Sequence, residues 1–575
     1  MKEKTYKKLK SDPTQKFKKE LVSVLKDLKD RDVISTALHR KLYPTTDQPP
    51  RFYGLPKVHK KAMPVRPIVS SIGTITYQCA RYLADVLSPL VGRTVHHVKN
   101  SKEFVETVKN LHVGPDEELR SYDVSALFTS VPVDKALEVI RKLLEEDVLL
   151  HERTPLAPDD IIKLLEKCMK CTYFVYKGEY YLQIHGAAMG SPVSPIVCNL
   201  YMEYFEQKAL AEAKDPPRWW FRYVDDTYTV LKKDQSQEFT DYLNTVDEDI
   251  KWTTEGEVVT ELEVEKEGTE KRVERALAFL DTLSVINDDG SIRTRVYRKE
   301  THTDQYLNFA SNHPLEHKRG VVKTLVHRAE CVVSDVEEKK KELDHVRGAL
   351  SINGYPDWIL SDKRGGEEEV VETGVETVSV STEPSVQDIP VTTTEGGKKK
   401  RKKFPVILPY VKGMSEELRR VFGKFEVPAY FKPTNTLRQL LVRPKDPVVK
   451  ERVVGPVYKI SCEECEATYI GETERSLKAR FGEHRRPSSV NSEVSRHIHT
   501  DQPGHGVNME RTKILAVEPR WFERGVKEAI YIRANKPSLN RDGGRYNLPP
   551  VWNNIVKRLV EGPGTVTKGA RSSDL

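Results

Sequence analysis

Long apolar runs are missing from this 575-residue chain, and with them any helix able to span a bilayer, so no membrane partner is expected. The start, Met1-Lys2-Glu3-Lys4-Thr5-Tyr6-Lys7-Lys8, lacks the apolar stretch of a secretory leader. Cysteine is scarce. Seven thiols scattered over this length make no disulfide framework, which points to a reducing, intracellular compartment. Internal repeats are absent, excluding a solenoid or propeller. Charge of one sign is not in large excess either: 93 Lys and Arg against 86 Asp and Glu leave +7. That excludes a simple polycation and fits a nucleic-acid enzyme whose basic groove is offset by acidic segments elsewhere.

What is present is a chain too long for one core. Residues 1 to about 350 read as mixed helix and strand. Residues 362–404 then lose apolar content and end in the block Lys398-Lys399-Lys400-Arg401-Lys402-Lys403, which reads as a solvated linker. The block has the composition of a nuclear-localisation signal and equally of a solvated charge run, so nucleus is the expected compartment and cytoplasm the other. Residues 405–452, rich in proline, read as a connector. A compact unit follows over 453–550, then a tail over 551–575.

The most informative stretch is Tyr223-Val224-Asp225-Asp226. Aromatic and β-branched residues flank it on both sides, Trp219 to Val224 and Thr227 to Leu231, so it reads as a tight hairpin with both carboxylates at its tip. A third carboxylate is nominated by Leu119-Arg120-Ser121-Tyr122-Asp123, a strand ending in Asp123 that would face Asp225 from the neighbouring strand. Three such carboxylates resist joint ionisation until two Mg²⁺ ions supply the dominant local charge, which is the design of two-metal nucleotidyl transfer. Between the acidic motifs lies Gly186 to Pro195, ahead of a helix pattern through Val197, Leu200 and Tyr204. Gly190 and Ser191 there let backbone come close to a template-primer and an incoming nucleotide. Upstream, Arg51 to Lys60 and Val65 to Ser70 read as a basic hairpin, with Lys57 and Arg66 as candidates for gripping a triphosphate or, in the plainer reading, as a solvated face.

In this order the motifs resemble the reverse transcriptase of Penelope-like retroelements, relatives of telomerase, over Tyr6 to about Trp358. The resemblance rests on Arg51 to His59, Asp123 with Phe128, Ala188-Met189-Gly190-Ser191-Pro192, Tyr223-Val224-Asp225-Asp226 and Phe279-Leu280-Asp281. It implies an α+β right-hand architecture: fingers and an N-terminal region over 1–118, palm over 119–300, thumb over 301–361. Asp123, Asp225 and Asp226 are then catalytic. Phe128, five residues after Asp123, stands where reverse transcriptases place a bulky residue against a ribose 2′-OH, which implies dNTPs. Members usually carry further sequence ahead of Thr5-Tyr6-Lys7-Lys8-Leu9, so a truncated copy is one expectation.

In the carboxy-terminal unit, Gly455 to Ile460 and Ala467 to Gly471 read as two strands, each carrying one tyrosine. A helix follows with Leu477 and Phe481 on a buried stripe and with Arg480 and His484 sharing a face that could meet a phosphodiester. Glu528 sits on an apolar helix, and Asn540 comes soon after. These parts resemble a GIY-YIG endonuclease over about 453–548, a separate small α/β domain, with Pro456-Val457 departing from Gly-Ile ahead of Tyr458. The resemblance implies that Glu528 holds one Mg²⁺, Tyr458 or Tyr469 helps activate water, Arg480 stabilises the phosphate, and Asn540 supports the site. Cys462 and Cys465 between the strands, with His497 and His505 downstream, give a closed thiolate and imidazole set suited to structural Zn²⁺, with His499 as an alternative ligand. Endonucleases of Penelope-like elements carry such a set here. Cys168 and Cys171 lack a second pair and read as core.

The implied protein is an RNA-directed DNA polymerase and endonuclease that nicks DNA and extends the 3′ end on an RNA template. Its partners would be template RNA, target and primer DNA and dNTPs, with oligomeric state open. The other class the sequence allows is a truncated or domesticated copy that binds nucleic acid without catalysis.

Overall fold

The computed structural model describes residues 5–58, 62–264, 270–360, 405–433, 436–437, 441–442, 445–489, 491–553 and 556. The linker with the basic block, His59 and Lys60, and most of the 551–575 tail lie outside them. The architecture is mixed α+β.

The amino-terminal half is organised around an antiparallel sheet of β7 (Trp220–Tyr223), β8 (Asp226–Lys232), β4 (Glu117–Val124) and β9 (Trp252–Gly256), in that order. Its strands alternate, so each sheet face has its own chemistry. Tyr122, Trp220 and Trp252 point into a large core built with the helices Val133–Glu145, Pro158–Lys170 and Ser194–Glu212. Leu119, Tyr228 and Val230 occupy the opposite face and pack on Phe104 of the helix Ser101–Val108 and on Phe279. Asp123 lies on that second face, four residues along β4 from Leu119, and is exposed.

A five-stranded sheet takes β1 (Tyr6–Lys8), β6 (Glu179–Gln183), β5 (Tyr173–Tyr176), β2 (Arg51–Pro56) and β3 (Val65–Ser70) in that order. The hairpin expected from Arg51 to Ser70 is β2 paired with β3, Leu55 opposite Arg66. A further antiparallel sheet runs β10 (Val258–Val264), β11 (Glu270–Phe279), β12 (Thr282–Ile286), β13 (Ile292–Val296). The helices Leu315–Val332, Val336–Ile352 and Asp357–Leu360 follow and close on Leu325, Val346, Leu350 and Ile359.

The segment read as a proline-rich connector begins as a folded piece. β14 (Val406–Pro409) and β15 (Ala429–Lys432) pair in parallel across the helix Met414–Lys424, and Pro405, Pro409, Pro428 and Pro433 sit at or beside strand ends, where a missing N–H costs no ladder bond.

In the carboxy-terminal unit, β17 (Thr468–Glu472), β16 (Pro456–Ser461) and β18 (Lys513–Val517) form an antiparallel sheet. Tyr458 and Ile460 pack on Leu477 and Phe481 of the helix Leu477–His484, whereas Val457 and Ile470 pack on Ile532 of the helix Trp521–Asn535.

Candidate active sites

The register brings the acidic residues together, with one shift from the expected geometry. Asp226 is not at the hairpin tip: it is the first residue of β8, paired with Tyr223 on one side and Asp123 on the other. The two-residue turn is Val224-Asp225, so Asp123 faces Asp226 across the strands and Asp225 adjoins them from the turn. Val224 adopts φ +58°, a left-handed conformation that a β-branched side chain resists. Surrounding groups hold it there. Arg222 Nη1 donates to the Val224 carbonyl at 2.8 Å, and Val124 N donates to the Asp225 carbonyl at 3.1 Å.

Arg222 is itself fully buried, its Nε 2.7 Å from Glu206 Oε1, an acceptor shared with Trp220 Nε1 at 2.8 Å. Its Nη1 also reaches Asn199 Oδ1 at 3.0 Å. The helix Ser194–Glu212 therefore supports the acidic turn through one guanidinium, whose charge is matched by a carboxylate inside the core.

Burial first, then the charges of Asp123, Asp225 and Glu255, push the Asp226 carboxyl up to about 7. Glu255 was not expected. On β9 it pairs with Ser121, two positions from the Asp123 pairing with Thr253, and so shares their face. Nothing in the local pattern marked it, because its neighbourhood depends on which strand lies beside β4. The surplus of negative charge sits on oxygen donors, the chemistry that hard divalent cations such as Mg²⁺ prefer.

Phe128 follows the turn after β4, half-buried against the core, with Ala126 left-handed at φ +57°. Its carbonyl accepts Ala187 N at 2.5 Å, which fastens the glycine loop beside it. At the other end of that loop, Val69 N donates to the Met189 carbonyl at 2.7 Å and Ser71 Oγ to the Gly190 carbonyl at 2.7 Å. Gly190 has φ +120°, and a Cβ there would lie 2.3 Å from the Val69 carbonyl oxygen, so only glycine fits. Ser191 is half-buried beside it. Arg66 is exposed and Lys57 half-buried at the connecting end of the β2–β3 hairpin, where Pro56 pairs with Val65.

In the carboxy-terminal unit Tyr458 is wholly buried, its hydroxyl 2.8 Å from His484 Nε2 and 3.3 Å from Arg480 Nε, which donates to it. His484 Nδ1 lies 2.7 Å from Ser492 Oγ. His484 has no exposed surface, which corrects the expectation that it meets a phosphodiester; it holds Tyr458 instead. Burial and the adjacent Arg480 cation push the imidazole down to about 3, so it is neutral. Tyr469 is half-buried, 5.2 Å from the His484 ring and 6.5 Å from the Tyr458 ring. A Cβ on Gly471 would stand 2.6 Å from the Tyr469 ring and 2.9 Å from the Tyr458 hydroxyl, so its hydrogen leaves them room.

Asn540 grips the same strand: its Oδ1 accepts Ile470 N at 2.8 Å and its Nδ2 donates to the Ile470 carbonyl at 2.7 Å. Glu528 is half-buried, and burial, with the charge of Glu472 next, pushes it up to about 7. Glu472 is a second unanticipated group: it directly follows Gly471 and pairs with Arg524 and Arg545.

Cys462, Cys465, His497 and His505 each bring one donor atom to a cluster in which all four lie within 4.8 Å of one another. Cys465 Sγ is 3.6 Å from His497 Nε2, and Cys462 Sγ is 3.5 Å from His505 Nδ1. His499 turns away, its Nε2 3.1 Å from the Arg485 carbonyl, so geometry selects His497. Two sulfurs and two imidazole nitrogens at this spacing fit tetrahedral zinc. Cys168 and Cys171 are buried core thiols.

Residues 305–364, about a tenth of the chain, match the family described as animal helix-turn-helix domain. No curated protein matches the sequence. Among solved structures, the chain is similar to telomerase from Candida albicans in complex with the TWJ fragment of telomeric RNA, at 11% identity over 53% of this chain and 58% of that one, TM-score 0.35. It is similar also to apo telomerase from Candida tropicalis truncated from the C-terminal domain, at 15% identity over 38% and 44%, TM-score 0.27. The Sicinivirus 3Dpol RNA-dependent RNA polymerase gives 13% identity over 59% and 67%, TM-score 0.34. The chain spans about half the length of the telomerase chains it matches.

Proposed function

We propose that the chain is an RNA-directed DNA polymerase of Penelope-like type joined to a GIY-YIG DNA endonuclease. The observation that carries the reading is the direct opposition of Asp123 and Asp226 on neighbouring strands, with Asp225 in the adjoining turn, on a sheet face beyond the part that Phe104 and Phe279 cover. Two Mg²⁺ ions held by these carboxylates would supply the charge that activates a primer 3′-OH and steadies the leaving pyrophosphate. Around them the chain's own groups bind and select. Lys57 and Arg66 offer cations to the triphosphate, Gly190 and Ser191 bring backbone close to the nucleotide, and Phe128 excludes a 2′-OH. The helices within 301–361 would be the thumb.

In the second unit, one Mg²⁺ on Glu528 would polarise a phosphodiester. Arg480 presents a cation to the phosphate, Tyr469 is the more accessible tyrosine for proton transfer from water, and buried Tyr458 orients Arg480. Asn540 fixes the strand that carries Tyr469. Zinc on the cysteine and histidine cluster would fold the 462–507 region and take no part in chemistry. The nuclease would expose a 3′-OH for the polymerase to extend, in the nucleus if the basic block directs import.

Nicking of supercoiled plasmid tests the second half: wild type with Mg²⁺ should give open circles and Glu528→Ala should not. Equal nicking by both proteins would remove the nuclease assignment. Primer extension on RNA with dNTPs tests the first half and separates the enzyme from a silent nucleic-acid-binding copy.

A further inference from the structure

Beside Glu528 lies a cluster of rings that the proposed hydrolysis does not use. Trp521 is 56% exposed and Phe522 57% exposed, adjacent at the start of the helix that carries Glu528. Tyr546 sits against both, 6.2 Å from Trp521 at 82° and 5.1 Å from Phe522 at 63°. The close approach depends on Gly525, where a Cβ would fall 2.7 Å from the Tyr546 ring. Arg545 lays its guanidinium 4.5 Å from the Trp521 ring centre while pairing with Glu472, whose charge also reaches Glu528. One arginine thus links the rings to the carboxylate centre.

Spacing ties the rings to that centre as well. Trp521 and Glu528 are seven residues apart on one helix, which places them on the same face about 10 Å apart along the axis. That distance is about three nucleotide steps of B-form strand. Two large rings left more than half exposed within such reach of a phosphodiester site offer flat faces that any base can stack on. Arg545 shows that the Trp521 face already accepts a planar partner.

We propose that Trp521, Phe522 and Tyr546 form a stacking platform for an unpaired DNA base about three nucleotides from the bond cut at Glu528. This rests on the nuclease reading of Glu528. A platform of this kind makes the enzyme favour DNA that is already locally opened, since an unpaired base reaches the rings without the cost of unstacking.

The test uses the full-length chain carrying Glu528→Gln and a DNA duplex with 2-aminopurine in a short unpaired gap. Excess unlabelled RNA–DNA hybrid occupies the amino-terminal half. Binding should quench the 2-aminopurine. Adding Trp521→Ala with Phe522→Ala should weaken the quenching titration about tenfold or more, and Trp521→Phe should restore most of it. An unchanged titration in the double alanine variant, or no quenching in the parent, would overturn the platform. Plasmid nicking by the chain with native Glu528 reads the nuclease separately: nicking without quenching removes the platform alone, and quenching without nicking removes the nuclease alone.

Discussion

At Asp226 burial and three neighbouring carboxylates act in the same direction, which is how a site invites cations rather than a proton-free resting state. Single side chains then decide what the site accepts. Replacing Phe128 by Val should open the space beside the sugar and raise the rate of rNTP incorporation relative to dNTP by roughly tenfold or more, read by single-nucleotide insertion on an RNA template; an unchanged ratio would return Phe128 to the core. His484 gives a different prediction. Its folded value near 3 lies below the value of about 6.5 expected in the unfolded chain, so acid favours unfolding. The stability it contributes is complete above about pH 6.5 and falls as pH drops toward 3, by about 3 kcal/mol between pH 7 and 4. Denaturant titrations of the carboxy-terminal unit should show that slope, and His484→Gln should flatten it.

Hairpins and loops carry the next level of constraint. Arg222→Met leaves Glu206 buried without its partner and should lower stability by about 3–5 kcal/mol, whereas Arg222→Met with Glu206→Gln should recover much of the loss while keeping an acceptor for Trp220. Thermal melting of the three proteins checks the order; equal melting of single and double variants would mean the ion pair is not what supports the turn. Gly190→Ala should lower both melting temperature and primer extension, since the Val69 carbonyl occupies the space a methyl needs. Much of this level was legible in advance. The acidic hairpin, the strand ending in Asp123, the β2–β3 hairpin and the two tyrosine strands announce themselves by alternating aromatic and β-branched residues. Register was not legible, because a one-residue change in turn position leaves the local pattern intact while moving each side chain to the other face. Hence the turn fell at Val224-Asp225. Glu255 and Glu472 also went unread, because each matters only through a neighbour distant in sequence. Proline density concealed a regular β-strand, helix and β-strand at 406–432.

Across the whole chain, two sheets with different carboxylate centres precede and follow residues 362–404 in sequence, and each depends on its own stabilising device. The amino-terminal half rests on a large apolar core, whereas the carboxy-terminal unit has a small one and adds the Cys462, Cys465, His497 and His505 cluster. Chelator should therefore lower the melting temperature of the carboxy-terminal unit and leave the amino-terminal transition in place, and Cys465→Ser should do the same without chelator. A single transition insensitive to chelator would mean that zinc does not hold this unit together. The acidic centre of the amino-terminal half is tested by single-turnover extension of a DNA primer on an RNA template with Mg²⁺ and dNTPs, comparing wild type with Asp225→Ala at matched folding. Wild type should extend the primer and Asp225→Ala should fall by about a thousandfold or more, the scale of several kcal/mol of lost metal assistance; equal extension by the two proteins, or none by well-folded wild type, would contradict the polymerase reading.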